Sequence, residues 1–310
     1  MRVVVTGATG TLGRAVVAAL AGRGDEVVAL SRDAASARER LGPGVEVQTW
    51  SRPKADPAPA GALDGAGGVV HLLGEPVAQR WSDAARREIR ESRVLSTRML
   101  VEGLRMAERR PGVLVAQSAS GYYGPRGEEI VDESEPAGDD FLATVCVDWE
   151  AAARAAEDLG LRVPITRTGV VLSDSGGALE KMLPPFKLGV GGPVAGGRQY
   201  VPWIHAEDIV GGLLCCLDED AATGPINLSA PEPVTNAELS KMLGRVLRRP
   251  AVAPVPALAI KALYGEMSQI VTTGVRMVPA RLAELGYSFA RPDLEDALRA
   301  ATGKTAASKA

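Results

Sequence analysis

Apolar runs of strand length alternate with longer stretches of helical spacing through the first half of the chain. Arg2–Thr6, Glu26–Ser31, Val45–Trp50, Val69–Leu73, Val113–Ser118 and Val163–Thr168 have the length and apolar character of strands. A helix is predicted from the glycine-rich turn after the first strand through Leu20. A second, Ser82–Arg109, is long and charged, with Ile89, Leu95, Met99, Leu100 and Leu104 as its buried stripe. Strand–helix alternation of this kind predicts an α/β fold: a parallel, doubly wound sheet with right-handed crossovers and helices on both faces. Pro53–Gly65 is rich in Pro and Ala and reads as a surface connection instead of a formed helix.

Beyond the sixth strand the pattern loosens. Glycine-rich loops at Ser173–Gly177 and Gly189–Gly197 flank a short helix. Asn236–Leu247 is a helix with Thr235 in the N-cap position and Glu238 three residues on, and Ala290–Thr302 is a terminal helix. The expected organisation is a dinucleotide-binding unit over 1–168 and a smaller C-terminal α/β substrate and lid portion over 169–302, parts of which return to the sheet. The small, polar tail Gly303–Ala310 is expected to fray.

Composition narrows the partners. With 310 residues, 46% hydrophobic and 24% charged, and a net charge of −3 without long basic runs, neither nucleic acid nor an anionic membrane is expected to bind. Three cysteines, Cys146 and the adjacent Cys215 and Cys216, make no disulfide framework. Two histidines and no Cys-x-x-Cys leave a transition metal without ligands, so no metal is expected. The amino terminus enters a strand without a signal-peptide pattern, and the apolar stretch Ile209–Leu217 is too short to span a bilayer. A soluble, cytoplasmic protein is the expectation.

The chemistry starts at Gly7, Gly10 and Gly13, spaced G-x-x-G-x-x-G between the first strand and its helix. Such glycines permit a sharp turn, close approach to a pyrophosphate and tight helix–strand packing, and the helix N-terminus offers free N–H groups to phosphate. This is a Rossmann-type turn, with Gly7, Thr9, Gly10, Thr11, Leu12 and Gly13 as candidate contacts. At the end of the second strand an acidic residue would bind the ribose diol of NAD, whereas this chain reads Leu30, Ser31, Arg32. A hydroxyl and a guanidinium suit a 2′-phosphate, so NADP(H) is the expected cofactor. Asp33 comes one position too late for the ribose. Glu75, at the cofactor edge of the fourth strand, is a candidate contact for ribose or substrate.

Thr6–Gly13, HLLGEP (His71–Pro76), SRVLSTRML (Ser92–Leu100), SASGYYG (Ser118–Gly124), PWIHAEDI (Pro202–Ile209), GPINLSAPEPVTN (Gly224–Asn236) and GEM (Gly265–Met267) together cover nearly the whole chain. In these motifs the sequence resembles the extended short-chain dehydrogenase/reductases, the NAD-dependent epimerase/dehydratase superfamily. More narrowly, it resembles the atypical epimerase branch with a C-terminal domain of unknown function, members of which are sometimes labelled cell-division inhibitors. The resemblance implies that Leu73 and Gly74 line the adenosine and ribose side, that Thr97 flanks the cofactor, and that Gly169–Leu172 passes the nicotinamide end. His205 and Asp208 would close the substrate cleft or brace the sheet. A small-molecule substrate, and a homodimer through Ser82–Arg109 and Phe141–Ala156, are implied as well.

One departure stands out. The superfamily uses a Tyr and a Lys four residues apart on one helix face, where the ammonium lowers the phenol pKa, assisted by a serine on the fifth strand. Here the corresponding helix is Phe141–Ala156. Aligning Glu150 with the usual acidic residue puts Leu142 and Cys146 at the Tyr and Lys positions and Ala119, between Ser118 and Ser120, at the serine position. Three readings stay open. In the first, Tyr122 or Tyr123, with Ser118 or Ser120, takes the acid role; Tyr123 is structural in the superfamily pattern, so Ser118, Ser120 and Tyr122 are the catalytic candidates. In the second, water or substrate supplies the proton, helped by His205 or Glu75. In the third, the protein is a catalytically silent NADP(H)-binding sensor.

Other residues carry plainer expectations. His71, ending an apolar strand, is a satisfied interior or cofactor-adjacent group ahead of a base. Glu128, Glu129, Glu133 and Glu135 are expected to be solvated. Lys181–Val190 is either a lid whose Lys181 or Lys187 attracts an anionic substrate or a helix on the cleft rim, and the four tryptophans pack.

Overall fold

The computed structural model describes residues 1–174 and 176–304. Its centre is a seven-stranded sheet of β1 (Arg2–Thr6), β2 (Glu26–Ser31), β3 (Glu46–Thr49), β4 (Gly68–His71), β5 (Val113–Ala119), β6 (Pro164–Thr168) and β7 (Gly224–Leu228). Spatial order is β3-β2-β1-β4-β5-β6-β7, and every pairing is parallel, with Val3 opposite both Val27 and Gly68. The order reverses between β1 and β4, so the crevice above their carboxyl ends is the topological switch point where such sheets bind ligands.

Helices cover both faces because the strands are apolar on both. Val3 and Val5 pack against Val16 and Leu20 of α1 (Thr11–Gly22) and, through the same core, Ile209 and Leu213. Val4 points the other way, into a core with Leu100, Leu104, Leu114 and Ile165, as the period-two alternation of a strand requires. α2 (Ala34–Leu41) joins β2 to β3, α3 (Asp83–Met106) joins β4 to β5, and α4 (Phe141–Arg154) lies between β5 and β6. In the 169–302 portion, α5 (Ala178–Lys187) precedes α6 (Ala206–Asp218), the helix formed by the short apolar stretch. α6 and β7 rejoin the sheet. α7 (Asn236–Leu247), α8 (Ala257–Tyr264) and α9 (Leu294–Ala301) follow, and α7 carries the capping box of Thr235 and Glu238. Leu179, Phe186, Trp203, Leu239, Leu243 and Leu298 share a second core there. No helix among the described residues is long and apolar enough to cross a membrane.

The Pro53–Gly65 expectation needs correcting. Ala60–Leu63 forms a helical turn, and Ala58, Ala62 and Leu63 are buried. Ala58 docks on Gly103 of α3 so closely that a Cβ there would overlap the Ala58 carbonyl. Small residues allow this approach, so alanine content marks packing where proline content had suggested solvent. Of the tail, residues 305–310, and in the first glycine-rich loop Ser175, lie outside the described residues.

Gly169 sits where three segments meet. Its N–H donates to the Leu228 carbonyl (2.9 Å), the next N–H donates to the Pro202 carbonyl (2.7 Å), and a Cβ would overlap the Pro202 oxygen. Replacing Gly169 with Ala is expected to destabilise the protein by about 1–3 kcal/mol, the range for overpacking a closed site. Urea denaturation measures it, and an unchanged midpoint would show that this junction yields freely.

Candidate functional site

The turn after β1 is built by backbone constraint. Gly7 has φ +66°, and a Cβ on it would lie 2.7 Å from the Leu72 carbonyl oxygen; a Cβ on Gly13 would overlap the Gly7 carbonyl. Gly10 caps α1 in extended conformation and offers no side-chain acceptor, so the first-turn N–H groups of Thr11, Leu12 and Gly13 are left for a ligand. They open on a cleft of about 590 Å³ lined by Gly7, Thr9 and Gly10, by Ser31 and Arg32, and by Leu73, Gly74 and Glu75. Its outer wall is Ser51–Ala55, with Arg52 and Lys54; sequence reasoning missed it, since Pro53–Ala55 fall in the expected surface connection and nothing local marks Ser51 and Arg52. Arg52 is held near Asp56 (3.5 Å) and Lys54 by Glu88 (2.6 Å).

At the end of β2 the side chains divide their work. Asp33 caps α2, its carboxylate accepting from the Ser36 N–H (3.0 Å), so it is engaged away from a ribose. Ser31 exchanges hydrogen bonds with the Asp33 backbone (3.0 and 3.3 Å). Arg32 is exposed and has no ion-pair partner among the described residues. A free guanidinium beside a hydroxyl, with the Asp33 carboxylate committed to its helix, fits a phosphate monoester better than a diol.

His71 and Thr97 lie inside the protein, not in the cleft. Thr97 Oγ1 donates to the Arg93 carbonyl (2.7 Å) and accepts from Trp149 Nε1–H (3.0 Å) and His71 Nε2–H (2.9 Å). His71 Nδ1 then accepts from the Thr6 hydroxyl (2.7 Å), whose oxygen accepts from the Leu72 N–H (3.2 Å). In this arrangement Nδ1 accepts, which requires a neutral imidazole, and burial lowers the His71 pKa to about 4. Thr97 was expected to flank the cofactor; its hydroxyl is instead fully enclosed in this chain.

A second interior network engages one catalytic candidate, Ser118. Ser118 is buried and donates to Glu150 Oε1 (2.8 Å), and Glu150 pairs two-pronged with Arg167 (2.9 and 3.0 Å). Burial opposes the Arg167 charge, but the hydrogen bonds and field of Glu150 outweigh it and raise the pKa. Arg167 also donates to the Tyr123 hydroxyl (3.0 Å), which donates to Asn227 Oδ1 (2.7 Å). Burial pushes Tyr123 up to about 12, and its role is structural. Glu133, expected in solvent, is buried: its Oε1 accepts from the N–H groups of Asn227 (2.9 Å) and Arg281 (3.1 Å), tying the loop to β7 and the C-terminal segment.

Ser120 and Tyr122 fare differently. β5 ends at Ala119, and the 3₁₀ turn Ser120–Tyr123 turns both hydroxyls out of these networks. Neither forms a hydrogen bond with another described residue, and both are half-buried; Arg167 Cζ lies 3.4 Å from the Tyr122 ring centroid. Leu142 packs with Trp81, Phe141, Val77 and Ile270 in an apolar wall. Cys146 is buried with Sγ 3.9 Å from the Ala119 carbonyl, and burial holds its thiol up to about 12. Leu142 is thus an apolar packing residue and Cys146 a buried thiol.

His205 caps α6, Nδ1 accepting from the Glu207 N–H (3.2 Å), and Asp208 accepts from the N–H groups of Ala290 (2.6 Å) and Arg291 (2.9 Å). Both brace the structure. Lys181 of α5 donates to the Ala78 carbonyl (3.0 Å), so this helix is tied to the loop that follows Glu75. Among the described residues no cluster of His, Cys, Asp and Glu could hold a metal.

The His71 value sets a pH response. Because the folded-state pKa lies below that of a free imidazole, the unfolded chain protonates first: this contribution to stability is complete above about pH 6.5 and is lost as the pH falls toward 4. In an NMR titration the His71 ring C–H signals are expected to stay fixed down to about pH 5. A midpoint near 6.5 would contradict the hydrogen-bond chain.

Comparison with known proteins agrees with this architecture. Residues 3–229 match the model of the NAD dependent epimerase/dehydratase family, and residues 255–301 match a domain of unknown function, DUF1731. The chain is 39% identical over 306 residues to the chloroplastic epimerase family protein SDR39U1 homolog of Arabidopsis thaliana, covering 97% of this chain and 86% of that protein. Epimerase family protein Mb2239 of Mycobacterium bovis is 38% identical, with 97% of each chain covered. The crystal structure of human epimerase family protein SDR39U1 with NADPH superposes with a TM-score of 0.88 at 34% identity, over 98% of this chain and all of that one. With both its sheet and its C-terminal segment matched, the chain belongs to the NAD dependent epimerase/dehydratase family.

Proposed function

We propose that this protein is an NADP(H)-dependent oxidoreductase of epimerase or dehydratase type in which Ser120 and Tyr122 handle the substrate oxygen in place of the Tyr–Lys pair. The observation that carries this reading is the pair of unengaged hydroxyls just past the end of β5, while the neighbouring Ser118 and Tyr123 are locked in interior bonds. The NADPH in the human relative's structure supports the choice of cofactor.

In this reading the N–H groups opening α1 hold the pyrophosphate, and Ser31 with Arg32 holds the 2′-phosphate. The bound nicotinamide supplies a site for hydride transfer. Ser120 hydrogen-bonds a carbonyl or carbinol oxygen, and Tyr122 gives or takes its proton, its ring fixed by Arg167. Leu142, Trp81 and Phe141 exclude water from that end. A catalytically silent NADP(H)-binding sensor is the second reading, favoured by the inert Leu142 and Cys146.

Calorimetric titration is expected to show tighter binding of NADPH than of NADH, and Arg32→Ala to weaken NADPH by about tenfold or more while leaving NADH nearly unchanged. An unmoved preference would refute the assignment of Arg32. In a panel of small carbonyl and carbinol compounds followed by NADPH absorbance, Tyr122→Phe is expected to slow turnover by about a hundredfold or more. Wild-type rates in a Ser120→Ala/Tyr122→Phe double variant would remove both residues from the chemistry. Tight NADPH binding without turnover of any compound would favour the sensor.

A further inference from the structure

Arg93 is a cation with spare donors packed against Gly74 and Glu75, which line the cleft. It follows the cleft-lining Ser92 on α3, and its guanidinium turns inward over the Trp149 ring, with Cζ 5.1 Å from the centroid. Nη1 donates to the carbonyls of Glu75 (2.9 Å) and Ile89 (3.0 Å). Nε and Nη2 have no hydrogen-bond partner, and no carboxylate pairs with the group, among the described residues. These two nitrogens face the turn after β4: a Cβ built on Gly74 would lie 3.4 Å from Nε and 3.2 Å from Nη2. Burial pulls the pKa of Arg93 down, with Cys146 and Glu75 acting the other way, so it is close to both. Arg93 is half-buried, and these N–H groups are free to meet an acceptor from outside the protein.

Its place in the fold says which acceptor. With the 2′-phosphate end over β2 and the pyrophosphate at α1, a dinucleotide continues over β4 and β5, where Gly74 and Cys146 lie. Cys146 occupies the position from which the superfamily's lysine would project, and offers no charge. The nearby Glu75 carboxylate disfavours a second anion beside Arg93 but leaves a neutral diol free to accept N–H bonds. We propose that Arg93 donates through Nε and Nη2 to the ribose hydroxyls of the nicotinamide half, so that the cation of this site comes from α3 instead of α4. This rests on the NADP(H) reading above.

The test compares NADPH with 2′,5′-ADP, which has the 2′-phosphate and adenosine but no nicotinamide ribose. By calorimetry, Arg93→Gln is expected to weaken NADPH by about tenfold while 2′,5′-ADP binds within about twofold of wild type, and Arg93→Lys to recover part of the loss. An equal loss for both ligands would mean that Arg93 only clamps the 74–75 turn, and an unchanged NADPH affinity would mean that it does not reach the cofactor; either overturns the inference. If the glutamine variant does not fold by thermal denaturation, the ratio of the two affinities in Arg93→Lys decides in the same way. Failure of wild type to bind 2′,5′-ADP would instead sink the cofactor reading.

Discussion

The buried pair of Arg167 and Glu150 is the contact on which the inner end of the cleft depends. Glu150 belongs to α4 and Arg167 to β6, and the pair reaches Ser118 on β5, Tyr123 in the turn beyond it and, through Asn227, β7. Two charges taken from water are expensive, and their attraction repays that cost only when the remaining donors and acceptors are satisfied. Here Ser118, Tyr123 and the Glu133 carbonyl meet that condition. The pair therefore specifies position more than it adds stability. Removing one partner would strand the other, at about 3–5 kcal/mol, and every neighbour is held to the geometry that avoids this. Tyr122 inherits its orientation from the same arginine.

Glu133 extends the constraint to the C-terminal segment. Its carboxylate takes N–H groups from β7 and from Arg281, elements far apart in sequence, and burial raises its pKa. Asp208 does the same for Ala290 and Arg291. The late part of the chain is thus fastened to the sheet by two carboxylates that accept backbone N–H groups, a strong interaction because the acceptor is charged.

What could be read from the sequence divides along the same line. The strands through β6, α1, α3 and the Thr235–Glu238 box were legible because each rests on local pattern or local hydrogen bonds. So was the phosphate turn, since Gly7 and Gly13 answer to backbone geometry within the same short loop. α6 and β7 were not assigned to the sheet, because only tertiary pairing with β6 defines β7. Glu133 looked solvated among the charged residues around it, and its partners lie 94 and 148 residues away. Arg167 did leave a signal: one arginine inside the strand Pro164–Thr168, which is buried throughout, implies a buried carboxylate somewhere. Which carboxylate, spacing alone does not say.

Gripping a dinucleotide and reacting with it place different demands on a chain, and this protein separates them. In the proposed reading the grip rests on main-chain N–H groups and on glycines whose replacement would collide with backbone, so it would persist wherever the fold does. Proton transfer needs particular side chains at particular points, and one substitution removes it while the fold stays. On α4, Leu142 packs in an apolar cluster and Cys146 is buried, each a satisfactory packing residue. The end of β5 has kept polar groups and divided them. Ser118 faces the ion pair, while the change from strand to 3₁₀ turn after Ala119 breaks the alternation and leaves Ser120 and Tyr122 outside it. Two partly exposed hydroxyls at the end of β5, without a hydrogen-bond partner among the described residues and open to an incoming oxygen, are what the enzyme reading rests on.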